Sequence, residues 1–169
     1  MGIDTHTLVW LFPVVFMAHD FEEIILGEPW LKTHGGEVKS RINGRVPAFL
    51  ARQMSAVLDK SAAELALPIS LIFGLTVLSS FLATACDDYR LLVLWGVTFW
   101  GHAFVHLGQA VVLRRYVPAV ITSAVIVMPF GLFLFARLMA AGVTDWRGLS
   151  VNLLLGGVLG VPFVLFMHK

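Results

Sequence analysis

The residues with the clearest capacity for chemistry lie inside long apolar segments. The first of these segments contains His19, Asp20, Glu22 and Glu23. On a helix, Glu22 and Glu23 follow His19 by three and four residues, so these three side chains lie on one face, while Asp20 points about a quarter turn away. An ionised acid near the centre of a bilayer costs about 2.5 to 3.5 kcal/mol. A counter-charge is therefore expected close to this group.

A second polar stripe occurs in the third apolar segment. His102, His106 and Gln109 share one helical face, and Trp95 and Phe99 lie on the same face one or two turns earlier. Histidines at positions i and i+4 of one helix, joined by His and Glu from another, supply the nitrogen and oxygen donors that zinc, iron or manganese prefer. The two stripes together predict a divalent metal site.

The predicted site can be filled in two ways. One ion would be held by His19, Glu23, His102 and His106. Adding Glu22 and Glu64 gives three histidines and three carboxylates, enough for two ions in a helical bundle. The alternative is a hydrogen-bonded, partly protonated network that only holds the helices together.

Further roles are assigned to residues beside these ligands. Glu22 and Glu64 are the candidate catalytic carboxylates, because a spare acid can move a proton next to a bound ion. The candidates to orient the ligands or line a substrate pocket are Gln109, Trp95 and Phe99.

The elements that must position these residues are membrane helices. Hydrophobic residues make up 58% of the 169 positions and charged residues only 14%, which is far more apolar than a soluble domain. Apolar runs long enough to cross a bilayer cover residues 5–26, 64–85, 91–113, 117–141 and 149–167. The sequence thus predicts one all-α integral membrane domain over residues 1–169, a bundle of about five transmembrane helices.

The one long connection, residues 27–63, is expected to be a cytoplasmic loop. Within it, apolar residues recur at helical spacing after Pro47, which predicts an amphipathic helix lying in the membrane interface. Nine Lys and Arg residues fall on the side of this loop and three on the other side. Because basic residues accumulate in the cytoplasm, the N-terminus is expected outside and the C-terminus inside.

The run His19-Asp20-Phe21-Glu22-Glu23 resembles the signature of the bacterial HXXEE domain family, which is named after this motif. The later runs His102-Ala-Phe-Val-His106-Leu-Gly-Gln109 and Arg115-Tyr116-Val117-Pro118 are also similar to that family. The resemblance implies a small multi-helix protein of the bacterial inner membrane. It supports the site and brings no established reaction with it.

These observations favour a membrane-embedded metalloenzyme, a hydrolase, isomerase or oxidoreductase, that acts on a lipid-like or other hydrophobic small molecule. A carrier or channel for metal ions or protons is the alternative, since buried acids and histidines also mark ion pathways. A metal-free isomerase or cyclase and a non-catalytic membrane subunit are further options. The expected partners are the bilayer, the substrate and, from the spacing of Gly156 and Gly160, a second copy of the chain. A net charge of +1 with dispersed basic residues predicts no nucleic-acid partner.

Overall fold

The computed structural model describes residues 3–42 and 61–167, with backbone alone at 42, 62, 65 and 160–167. The helices are α1 (Thr5–Ile42), α2 (Ala62–Ala85), α3 (Arg90–Leu113), α4 (Val120–Ala140) and α5 (Trp146–Met167). All regular structure in this part of the chain is helical, which confirms the predicted all-α class.

Among the described residues, three helical stretches are long and apolar enough to cross a membrane: Ala66–Ala85, Arg90–Leu113 and Val120–Ala140. They match the second, third and fourth predicted spans. The predicted first span forms the first half of α1 and the predicted fifth span falls within α5. That these two helices also cross the bilayer stays a prediction.

The first helix is longer than expected. Residues 27–42 continue α1 as helix through Pro29, Gly35 and Gly36, although the sequence predicts a loop there. Contacts with the connection that follows α3 hold this extension: the Trp30 indole donates to the Tyr116 carbonyl at 2.9 Å. An ion pair of 3.0 Å also joins Glu37 to Arg115. The expected interfacial helix after Pro47 lies outside the described residues.

Helices α1 and α3 run parallel and bring their polar stripes to the same level. The ring of Phe12 lies 5.9 Å from that of Phe99, and further along both helices the ring of His19 lies 5.1 Å from that of His106. This arrangement agrees with the shared depth that the two stripes require. Packing therefore assembles the site from the first and third helices.

A core of aliphatic and aromatic side chains fills the bundle on the N-terminal side of His19. Its fully buried members include Leu8, Val9, Phe12, Leu92, Leu134 and Leu138. On the far side of α3, Gly156 of α5 lies so close to Thr98 that a Cβ at position 156 would overlap the Thr98 side chain. Gly156 thus serves helix packing within this chain.

Helix α4 contains an irregular stretch close to the site. Residues Ser123–Val127 form a π-helix, in which the Met128 amide donates to the Ser123 carbonyl five residues earlier. Pro129 follows directly, and a proline ring cannot donate to, and clashes with, the carbonyl four residues before it. The wider π turn accommodates this proline, and such turns are frequent at functional sites.

Candidate metal centre

Four side chains converge where α1 and α3 meet. Each of His19, Glu23, His102 and His106 offers one donor atom, and these atoms all lie within 4.8 Å of one another. His19 is fully buried and His106 is 5% exposed. Glu23 is half-buried and His102 is exposed, so they form the rim of the group. These are the four residues that the sequence predicts for a single ion.

The spacing of the nitrogens suits one ion. The Nε2 atoms of His102 and His106 are 2.9 Å apart. Two imidazole nitrogens bound to one ion at about 2.0 to 2.1 Å lie roughly 2.9 to 3.4 Å apart, depending on the coordination angle. The carboxylate of Glu23 has an oxygen 4.0 Å from Nε2 of His106. The donor set of three imidazoles and one carboxylate is one that zinc, iron and manganese accept.

His19 supplies the observation that tests whether an ion fits. Its Nε2 atom is buried and has no hydrogen-bond partner among the described residues. Its Nδ1 atom, in contrast, lies 3.2 Å from the Thr122 hydroxyl. A buried polar atom without a partner costs about 1 to 3 kcal/mol, so such atoms are rare in native proteins. A cation between the four side chains would engage this nitrogen.

Glu22 takes a different position from the one predicted for it. Its carboxylate lies outside the four-residue group and binds the start of α4, accepting from the Thr122 amide at 2.8 Å and the Thr122 hydroxyl at 2.6 Å. The Tyr116 hydroxyl also donates to it at 2.7 Å. Partial burial and the nearby Glu22 carboxylate raise the pKa of Tyr116, so the phenol stays protonated and donates. In this structure Glu22 thus joins α1 to the start of α4 and lies outside the metal-ligand group, and its roles as a metal ligand and proton carrier stay predictions.

Glu64 is also placed elsewhere. Its carboxylate accepts from the amide of Ser61 at 2.8 Å, and the Ser61 hydroxyl accepts from the Glu64 amide, which is a capping box at the start of α2. Glu64 does not join the metal-ligand group. In this structure the side chain caps the N-terminus of its own helix, and its roles as a ligand and as a catalytic acid stay predictions.

The other predicted neighbours divide between site and scaffold. The ring of Phe99 meets that of His19 edge-on at 5.3 Å, so Phe99 forms part of the wall of the group. Trp95 instead donates from its indole to the Thr76 hydroxyl at 2.8 Å and joins α3 to α2. Gln109 is exposed, and its role beside the ligands stays a prediction.

Asp20 is buried but does not join the four donors. It is 6% exposed, and its Oδ2 atom has no hydrogen-bond partner among the described residues. Its position a quarter turn away from His19 on α1 explains why it is left out of the group.

A small cavity lies beside Phe99. Its volume is about 10 Å³, roughly the space of one water molecule, and its lining is apolar. The lining residues include Phe12, Phe99, Trp100, Phe130 and Leu134. The substrate pocket expected next to Trp95 and Phe99 is not this cavity, which is too small for a lipid-like molecule and lacks Trp95.

Thr122 and Tyr116 are the residues that sequence reasoning missed. Tyr116 belongs to a run already similar to the HXXEE family, which was a usable signal. Thr122 carried none, since a threonine at the start of an apolar helix is ordinary and its contact with His19 depends on how α4 packs against α1.

The comparison with known families agrees with this geometry. A family described as proteins of unknown function with an HXXEE motif matches residues 10–134. The chain belongs to the HXXEE family. The matched segment includes all four donors of the metal-ligand group and Thr122. No curated protein and no solved structure matches the chain.

Within the motif that names the HXXEE family, the three defining residues have separate tasks in this structure. His19 and Glu23 offer donor atoms to the metal-ligand group. Glu22 binds the N-terminus of α4 and the hydroxyl that contacts His19. The motif therefore places the two donor residues, His19 and Glu23, beside Glu22, which connects α1 to α4.

Proposed function

We propose that this HXXEE protein is a membrane-embedded metalloenzyme that acts on a lipid-like or other hydrophobic small molecule. One divalent ion, zinc, iron or manganese, would be held by His19, Glu23, His102 and His106. The observation that carries the proposal is the buried Nε2 atom of His19, which has no partner among the described residues and lies in a group with three other donors.

A purely structural network explains this arrangement less well. In such a network the buried imidazole nitrogens would each find a hydrogen-bond partner, because an unmade bond costs about 1 to 3 kcal/mol. The Nε2 atoms of His102 and His106 share one short contact, whereas Nε2 of His19 and Nδ1 of His106 have no hydrogen-bond partner among the described residues. Binding of a cation satisfies all four donors at once.

A bound divalent ion supplies Lewis-acid polarisation of a substrate oxygen or activation of water. The chain's residues divide the remaining work by their burial. His19 and His106 are buried and provide fixed ligands. Glu23, with a side chain 36% exposed, lies where its carboxylate can take a proton from a group beside the ion.

The surroundings of the group favour an enzyme over a carrier. A conduction path needs polar lining from one side of the membrane to the other. On the N-terminal side of His19, the rings of Phe16 and Phe99 lie 5.2 Å apart and those of Phe12 and Phe130 lie 6.2 Å apart. These rings close that direction, and access to the group is offered by His102, which is exposed, and Glu23, which is half-buried.

We further propose that the protein lies in the bacterial inner membrane with its N-terminus outside and its C-terminus in the cytoplasm. The excess of basic residues on one side supports this orientation. Its partners would be the bilayer and the hydrophobic substrate, and a second copy of the chain would pack along an exposed apolar face such as Leu154 and Val158 of α5. Reporter fusions at Lys169 test the orientation, and a periplasmic signal there would overturn it.

Elemental analysis tests the metal centre. The protein is purified in mild detergent without added metal, and we expect about one divalent ion per chain. His102→Ala should lose the ion, whereas Gln109→Ala, an exposed polar residue on the same helix, should keep it. Wild-type protein that binds neither endogenous nor added zinc, iron or manganese would refute the site.

A second experiment separates enzyme from carrier. Wild-type and His102→Ala proteins in nanodiscs are incubated with bacterial lipid extract, and the lipids are compared by mass spectrometry. An enzyme changes the lipid composition only when the site is intact. If instead the wild-type protein moves metal or protons across liposomes, and His102→Ala blocks that flux, the chain is a carrier.

A further inference from the structure

The hydrogen bonds around Glu22 determine which of its neighbours donate. Four groups point at the Glu22 carboxylate: the Tyr116 hydroxyl at 2.7 Å, the Ile121 amide at 3.4 Å, and the amide and hydroxyl of Thr122 at 2.8 and 2.6 Å. The two amides can only donate, and an ionised carboxylate can only accept. A carboxylate at the N-terminus of a helix such as α4 is also favoured by the helix dipole. Glu22 therefore acts as an acceptor toward all four groups.

The single hydroxyl hydrogen of Thr122 is used by this carboxylate. The distance of 2.6 Å to Glu22 Oε2 lies in the range of a hydroxyl that donates to an anion. The other acceptor within reach, the Ala119 carbonyl, is 3.3 Å away. Thr122 thus has only its oxygen lone pairs left for His19, whose Nδ1 atom lies 3.2 Å from that oxygen.

The position of the hydrogen on His19 follows from this count. If Thr122 accepts, Nδ1 of His19 must carry the hydrogen that is donated. A neutral imidazole has one N–H, so Nε2 of His19 is left bare, which agrees with its being buried without a hydrogen-bond partner among residues 3–42 and 61–167. Imidazole ligands are commonly oriented by such a bond from their other nitrogen.

We infer that Thr122, outside the HXXEE motif, is a positioning residue that holds His19 in the Nδ1–H form and aims its bare Nε2 at the metal site. The inference rests on the proposed metal centre for its functional meaning. Glu22 acts through Thr122, which gives the first glutamate of the motif a role without making it a ligand. Tyr116 strengthens this role by donating to the other oxygen of Glu22.

Metal affinity measures the effect of the Thr122 hydroxyl. Thr122→Val removes the hydroxyl at nearly constant volume, and Thr122→Ser keeps it. Competition with a chromophoric chelator for Zn²⁺ should show about 10- to 100-fold weaker binding for Thr122→Val and near wild-type binding for Thr122→Ser. The matched control is Thr84→Val, because Thr84 is also half-buried and its hydroxyl binds a carbonyl of its own helix α2.

Two spectroscopic measurements exclude a merely structural role. The Co²⁺ absorption spectrum should change in Thr122→Val and stay unchanged in Thr84→Val. In protein labelled with ¹⁵N-histidine and free of metal, the His19 signals, assigned with His19→Gln, should show a protonated Nδ1 and a bare Nε2. Thr122→Val should lose this preference, and thermal melting verifies that each variant is folded.

The possible failures are distinguishable. Wild-type protein that binds no metal refutes the proposed function, and the ¹⁵N spectrum then still decides the form of His19. Wild-type metal binding with equal affinity in Thr122→Val and Thr84→Val refutes the positioning role and leaves the metal centre standing. A protonated Nε2 in the wild type also refutes it. If Thr122→Val does not fold, two other measurements test the positioning role. The ¹⁵N spectrum of the wild type should show a protonated Nδ1 on His19, and Glu22→Gln should bind Zn²⁺ more weakly than the wild type.

Discussion

The apolar core and the metal-ligand group are neighbouring regions of this bundle that differ in what they bury. The apolar core around Phe12, Leu8 and Leu134 is filled by side chains until a cavity of about 10 Å³ remains beside it. About two helical turns beyond Phe12 on α1, the metal-ligand group buries two imidazoles, and Nε2 of His19 has no hydrogen-bond partner among the described residues. Stability in the first region comes from filled space, whereas the second gathers four donor atoms, which we propose to hold a metal ion.

Phe99 marks the boundary between the two regions. Its ring contacts Phe16 at 5.2 Å on one side and His19 at 5.3 Å on the other. An apolar ring beside His19 excludes water from the buried imidazole and so strengthens electrostatic interactions there. The apolar core therefore supplies one wall of the metal-ligand group through Phe99.

Removing a central ligand should have the largest effect. His106→Ala should weaken zinc binding by more than about 100-fold, because loss of a ligand exceeds the 10- to 100-fold effect of losing a residue that orients one. Isothermal titration with Zn²⁺ measures this change. His34→Ala is the control, since His34 stacks on Trp30 outside the group. Equal zinc affinity in His106→Ala and His34→Ala would contradict the role of His106 as a ligand.

A cavity in the apolar core should lower stability without emptying the site. Phe12→Ala should lower the free energy of unfolding by about 3 to 5 kcal/mol, as expected for a buried aromatic ring. Reversible unfolding in mixed micelles gives this value, with Leu154→Ala, which is 71% exposed, as the control. If folded Phe12→Ala protein no longer bound zinc, the two regions would not be separable.

Two glutamates offer a matched pair for the next effect. Glu64→Gln should cost about 0.3 to 1 kcal/mol of stability, since glutamine keeps the capping box but removes the negative charge at the N-terminus of α2, and should leave zinc affinity unchanged. Glu23→Gln should weaken zinc binding and leave stability nearly unchanged. Thermal melting and zinc titration of both variants measure this. Loss of zinc binding in Glu64→Gln would return that residue to the site.

The smallest effect on stability is expected from an ion pair at the connection of α2 to α3, which lies outside both the apolar core and the metal-ligand group. Arg90 binds Asp88 at 2.6 Å and lowers the pKa of this carboxyl to about 2. A lowered pKa in the folded state contributes stability above the unfolded value near 4, and this is lost as pH falls toward 2. Melting temperatures of wild type and Asp88→Asn between pH 6 and pH 2 should converge at the acid end. A constant difference would contradict the ion pair's role.

Several features could be predicted because they depend on local periodicity. The spacing of His19 and Glu23 on one helix, and of His102 and His106 on another, is set by 3.6 residues per turn. The capping box of Ser61 and Glu64 is also a local pattern, because the two residues are three positions apart at the start of a helix. The helical extension of α1 beyond residue 26 could not be read, because contacts with distant residues such as Tyr116 and Arg115 support it.

The all-α class, the apolar segments and the two polar stripes can be predicted from the sequence, since each follows from hydrophobicity and helical period along a short stretch of chain. The binding of Glu22 to α4 and the contact of Thr122 with His19 are seen only in the tertiary structure. The physical reason is that a hydrogen bond between residues about a hundred positions apart depends on the packing of whole helices. The connection before α4 includes Arg114 and Ala119 with positive φ angles of 52° and 66°, a backbone path that no periodicity encodes.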